Sequence, residues 1–156
     1  MKRFFMALFI FLFFDISVQA QQWTVMLYFM SDNNLYSNAL DDILELQKVH
    51  DTPGVNFIVQ IDSWQGARRY KIDNQGLHLL AYLGDVNSGS PEALTNFGLW
   101  AANQCPSKYN ALVLWDHGDG WSKDGKYIGY DNQYFDYLSV SQGELRYTFP
   151  LVKPMN

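Results

Sequence analysis

Cysteine is almost absent from this sequence: of 156 residues only Cys105 carries a thiol. A chain with one cysteine has no internal disulfide framework, so its core must be held by packing alone. Histidine is scarce too. His50, His78 and His117 are far apart, and none belongs to the His-x-x-x-His pairing of a helical zinc site. Basic runs are missing: past residue 20 the sole doublet is Arg68-Arg69, and the net charge is −5. That balance gives no electrostatic footprint for nucleic acid. There is no internal repeat, low-complexity tract or linker. Long apolar runs are limited to Phe4–Phe14, which is short of the roughly 20 residues a bilayer needs.

That single run has a meaning of its own. Lys2 and Arg3 precede it, Asp15 closes it, and Val18-Gln19-Ala20 offers a small-residue cleavage pattern. Together they read as a signal peptide over residues 1–20, with an uncleaved anchor as the alternative. A mature chain beginning near Gln21 would be secreted, periplasmic or extracellular, with no stable membrane span. Residues 21–156 are enough for one domain with a real core.

The mature part alternates strand and helix patterns. Trp23–Met30 is apolar nearly throughout and predicts a buried strand. Leu35, Ala39, Ile43, Leu46 and Val49 follow at helical spacing, opposite Asp41, Asp42, Glu45 and Lys48. Thr52-Pro53-Gly54 breaks that helix before a second apolar strand, Val55–Ile61, completing a βαβ unit. Arg68–Asp73 and Leu77–Leu83 flank a turn signal and predict a hairpin. Ser90-Pro91 starts a second helix whose buried face is Leu94, Phe97, Trp100 and Ala101. Ala111–Trp115 predicts the next parallel strand. Gly118–Asp136 reads as a long surface loop with one short strand near Ile128, and Ser141–Phe149 as a helix opened by a capping box. The fold class is α/β with a mostly parallel sheet.

Candidate chemistry gathers where the strands end. Ala111–Trp115 stops abruptly in Asp116-His117-Gly118, placing an imidazole at the carboxyl edge of the sheet, where open α/β folds build their sites. His117 there could serve as general base or acid, with the Gly118 and Gly120 amides near a developing oxyanion. A structural histidine bonded into the loop is the alternative. Asp62 and the Asp32-Asn33-Asn34 turn emerge at the same edge. Asp62 and Asp32 could line a substrate pocket and favour a cationic side chain; Asp32 and Asn34 read equally as helix caps. Asp116, Asp119, Asp124 and Asp131 do not follow the calcium-loop pattern and read as solvated acids. Cys105 precedes the strand that His117 follows, so the two lie at opposite edges and cannot pair. It reads as a buried apolar residue.

Four blocks in order resemble the clostripain family of cysteine peptidases: Trp23–Leu35, the Val55–Asp62 strand with Arg68-Arg69-Tyr70, Leu83–Glu92, and Ala111–Trp121. Gly129-Tyr130-Asp131 and Leu138–Leu145 also fit. The resemblance implies a caspase-like three-layer fold, of which this is the N-terminal part, and a His/Cys dyad. His117 matches the catalytic histidine and Gly118 the oxyanion amide. It also implies peptide or protein substrates, cleavage after Arg or Lys, no obligatory cofactor, and calcium or self-processing in some members. The family's nucleophile sits in an Asp-Ala-Cys stretch on the next strand, which these residues do not contain. The expectation is therefore a piece of an endopeptidase, inactive alone. Two other classes stay open: a secreted peptide- or glycan-binding protein using Trp121, Tyr127, Tyr130, Tyr134 and Tyr137, and a metal-assisted hydrolase using His117 with loop acids. Oligomeric state is not legible.

Overall fold

The computed structural model describes residues 21–49, 52–73, 75–118, 128–134 and 136–138. The predicted signal peptide, the Ser141–Phe149 helix, His50, Asp119, Gly120, Trp121, Asp124 and Tyr127 lie outside them.

Strand β1 (Gln21–Phe29) leads into helix α1 (Tyr36–Leu46) and strand β2 (Val55–Ile61). A hairpin of β3 (Ala67–Asp73) and β4 (Gly76–Gly84) follows, then helix α2 (Pro91–Gln104) and strand β5 (Ser107–Trp115). Two three-residue strands, β6 (Gly129–Asp131) and β7 (Asp136–Leu138), form a separate antiparallel pair. The five-stranded sheet runs β4-β3-β2-β1-β5. Its parallel part is β2-β1-β5, and the hairpin adds two antiparallel strands to the β2 side.

The period of two along a strand divides the core into two layers. Met26, Tyr28 and Ile58 face α2, which contributes Leu94, Phe97 and Ala101. Leu27, Phe29, Val59, Ile61 and Ile72 face α1, which contributes Ala39 and Ile43. Each fully buried side chain of this size contributes about 1.5–3 kcal/mol. Helix α2 begins as its sequence suggests: the Ser90 hydroxyl accepts the Ala93 N–H at 3.1 Å, and Pro91 occupies the first turn.

Three boundaries differ from the sequence reading. Strand β5 starts at Ser107 rather than Ala111, because Ser107, Tyr109 and Asn110 pair with the polar start of β1 at Gln21, Trp23 and Thr24. Helix α1 stops at Leu46, leaving Val49 half exposed. The loop after His117 holds a hairpin, not one strand, and Leu138 packs into the α2 layer. On the α1 side, a groove of about 430 Å³ runs between helix and sheet, lined by Leu27, Phe29, Leu46, Val49 and Trp115. Asp42 on its rim accepts the Trp115 indole N–H at 2.7 Å.

Candidate active site

Parallel register brings three strand ends level, since Phe29 pairs with both Ile61 and Trp115. The ladder continues one step beyond: Asp62 N–H donates to Phe29 C=O and Met30 N–H to Trp115 C=O, each at 3.0 Å. The next residues of each strand are thereby held together. They are Ser31-Asp32-Asn33-Asn34, Asp62-Ser63 and Asp116-His117-Gly118.

Asp116 organises the His117 side. Its Oδ1 accepts the His117 backbone N–H at 2.7 Å and the Asn33 side-chain amide at 2.9 Å. Its Oδ2 accepts the Tyr130 N–H at 2.6 Å, tying β6 to the end of β5. Gly118 turns with φ +60°, in the left-handed region that suits glycine. His117 is exposed, and its Nε2 lies 2.9 Å from Asn34 Oδ1. Neither Asp32 nor Asn34 caps α1, whose N-cap position is Leu35, with no side-chain cap bond. Asn33 takes the local turn bond instead, accepting Leu35 N–H at 2.8 Å. The cap reading of Asp32 and Asn34 is therefore corrected: the turn closes on Asn33, and Asn34 reaches for the imidazole.

Beside the histidine lies a buried nest of acids. Asp32, Asp62 and Asp131 are 5 %, 3 % and 0 % exposed. Asp131 takes four hydrogen bonds, from Ser88 N–H (2.8 Å) and Oγ (3.0 Å) on one oxygen and from Gln133 and Tyr134 N–H on the other. The Asp62 carboxylate accepts Ser63 N–H at 3.0 Å and bonds to Ser88. Burial pushes the Asp62 carboxyl up to about 7; Asp131 and Asp32 add to that rise, against the opposing bonds from Ser88 and Ser63. Asp32 moves the same way, by burial first and then by the charge of Asp131. Tyr28 closes the nest from below, donating to Ser88 C=O at 3.1 Å, and burial holds its phenol far above the usual range.

The reading of Asp116 and Asp131 as solvated acids is thus overturned. Both are spent on backbone amides, and Asp131 is fully buried. Sequence reasoning also missed Ser88, although it and Asp131 fall within blocks that carried the family resemblance. Cys105 lies far from this edge. It sits two residues before the nine-residue β5 and His117 two residues after it, roughly 30 Å apart at the usual rise. Its carbonyl accepts the Thr24 hydroxyl at 2.7 Å, and burial pushes its thiol up, away from a reactive thiolate. His78 stands apart on the hairpin, its Nε2 2.9 Å from Asp73 Oδ1.

Among the described residues no three His, Cys, Asp or Glu side chains converge on a metal-sized site. Asp131, which receives protein donors on both oxygens, has no oxygen left over for calcium. Nor is any helix among those residues long and apolar enough to cross a membrane.

Comparison with known proteins gives this geometry a context. No curated protein sequence matches. Solved structures of cysteine proteases share the fold. A cysteine protease of B. fragilis is 25% identical, with a TM-score of 0.59 over 65% of this chain and 92% of that one. A clostripain from Bacteroides thetaiotaomicron bound to a peptide inhibitor is 21% identical, with a TM-score of 0.59 over 67% of this chain and 97% of that one. A secreted cysteine protease from the same organism, bound to an irreversible peptide inhibitor, is 23% identical with a TM-score of 0.63. There the match covers 81% of this chain but only 38% of the protease. The clostripain family model matches residues 27–147, well over half of the sequence. With a caspase-like α/β sheet of this topology and that match, the chain belongs to the clostripain family of cysteine peptidases.

Proposed function

We propose that this chain supplies the histidine half of a secreted cysteine endopeptidase. His117 takes the proton of an attacking thiol and delivers it to the leaving amine, while the Gly118 amide donates to the oxyanion. The observation that carries this reading is the placement of His117: exposed at the carboxyl edge, with its backbone fixed by Asp116 and its ring by Asn34. The sequence holds one cysteine, buried near the opposite edge, so the thiol must come from outside these 156 residues. Alone, they hydrolyse no peptide by this route.

The substrate reading, Arg or Lys before the scissile bond, follows the family resemblance. Asp32 and Asp62 lie at the same sheet edge, 5 % and 3 % exposed. Residues 1–20 direct export, and residues 21–156 are the N-terminal portion of the peptidase domain.

The test compares residues 1–156 with the protein read onward through codon 156, on fluorogenic peptides ending in Arg, Lys or Ala. We expect no turnover by the first and cleavage after Arg or Lys by the second, falling roughly 10²–10⁴-fold in His117→Ala. Chelator-sensitive hydrolysis by residues 1–156 alone would overturn the reading. So would peptide affinity without turnover in the longer protein, which is the signature of a binding protein.

A further inference from the structure

Asn34 has a task that its position in a polar turn conceals. A turn asparagine ahead of a helix ordinarily serves the backbone. Here that work falls to Asn33, whose carbonyl oxygen accepts Leu35 N–H and whose amide donates to Met30 C=O and Asp116. Asn34 projects its side-chain oxygen to within 2.9 Å of His117 Nε2. A carboxamide oxygen only accepts, so this bond requires the proton to sit on Nε2. In a neutral ring, Nδ1 is then left with the lone pair.

We propose that Asn34 is the positioning residue of this site, holding His117 in the Nε2–H tautomer so that Nδ1 is the base presented to a thiol. The inference rests on the reading of His117 as the proton-transfer group. The two asparagines divide the task. Asn33 braces Asp116, which fixes the His117 backbone, and Asn34 fixes the ring. Proton bookkeeping is simple: Nδ1 takes the thiol proton and later gives it to the leaving nitrogen, while Nε2–H stays bonded to Asn34 throughout. The imidazolium that forms between these steps keeps its acceptor.

The test needs no turnover. Long-range ¹H–¹⁵N correlations on the chain labelled at histidine report which ring nitrogen carries the proton, with His117 identified by the signals lost in His117→Gln. The wild type should show a protonated Nε2 and a bare Nδ1. Asn34→Ala should reduce the tautomer ratio roughly fivefold, the modest net strength of a neutral hydrogen bond. Asn34→Asp, which keeps an accepting oxygen, should preserve it. A wild-type ring protonated on Nδ1, or a ratio indifferent to Asn34→Ala, overturns the proposal. If Asn34→Ala does not fold, Asn34→Leu, close to asparagine in volume and unable to accept a hydrogen bond, takes its place in the comparison. Failure of the peptidase assay leaves this spectrum unchanged, and a wrong tautomer leaves the cleavage result standing, so the two readings fail separately.

Discussion

Strands β1 and β5 lie side by side in parallel, paired from Gln21 and Ser107 to Phe29 and Trp115. Both read in sequence as short apolar runs fit for a buried strand, and they end at the same edge. Their surroundings differ. From Met26 onward β1 is buried on both faces, between α1 and α2 and between two neighbouring strands. Strand β5 has one neighbour among the described residues and leaves Val113 39 % exposed. The central strand is committed to stability, and the flanking one carries the histidine. A similar division appears at the edge itself, where Asp32, Asp62 and Asp131 are buried while His117 is exposed.

Substitutions can break or sharpen that contrast. Phe29 is 1 % exposed and packs on Trp115 with ring centroids 5.0 Å apart. Phe29→Ala should cost about 3–5 kcal/mol in urea unfolding, whereas Val113→Ala should cost under about 1 kcal/mol. Equal losses would show that β5 is as deeply packed as β1.

The buried acids give the next effect. Because the folded carboxyl of Asp62 titrates near 7 against 3.8 for the ordinary value, the fold holds its proton more tightly than the unfolded chain does. Its contribution is fully present below pH 4 and is lost as pH rises from about 4 to about 7, by at most about 1.4 kcal/mol per pH unit. Above that range the loss is constant. Asp62→Asn removes the titration, so the urea midpoint of the wild type should fall between pH 5 and pH 8 more steeply than that of the variant. Parallel profiles would mean that Asp62 is ionised in the fold.

The smallest expected effect falls on the residue proposed to transfer the proton. His117→Ala should change unfolding free energy by no more than about 0.5 kcal/mol, since the ring is exposed and makes one side-chain bond. A larger loss would make His117 a structural histidine.

These contrasts also separate what the sequence discloses from what it hides. The βαβ unit, the hairpin and the Ser90-Pro91 helix start are written in local patterns of apolar spacing and turn chemistry, and the structure contains each. His117 is legible for the same reason, as an imidazole between an apolar run and a glycine. The first four residues of β5 are not legible, because Ser107–Asn110 gain strand character from partners in β1 rather than from their own pattern. Asp131 looked solvated since its anchor, Ser88, lies 43 residues earlier in the chain. Asn34 looked like a cap because a turn asparagine has the same local context whether it bonds a helix or a ring 83 residues away.

The central place of β1 has a consequence for how the protein is made. Trp23 needs Val55 on one side and Tyr109 on the other. During synthesis the first partner emerges from the ribosome well before the second. At about 5–20 residues per second, the roughly 50 residues between them leave this strand half-paired for some 3–10 s. Throughout that interval its apolar edge is open to any extended segment nearby, a vulnerability that ends only when β5 arrives.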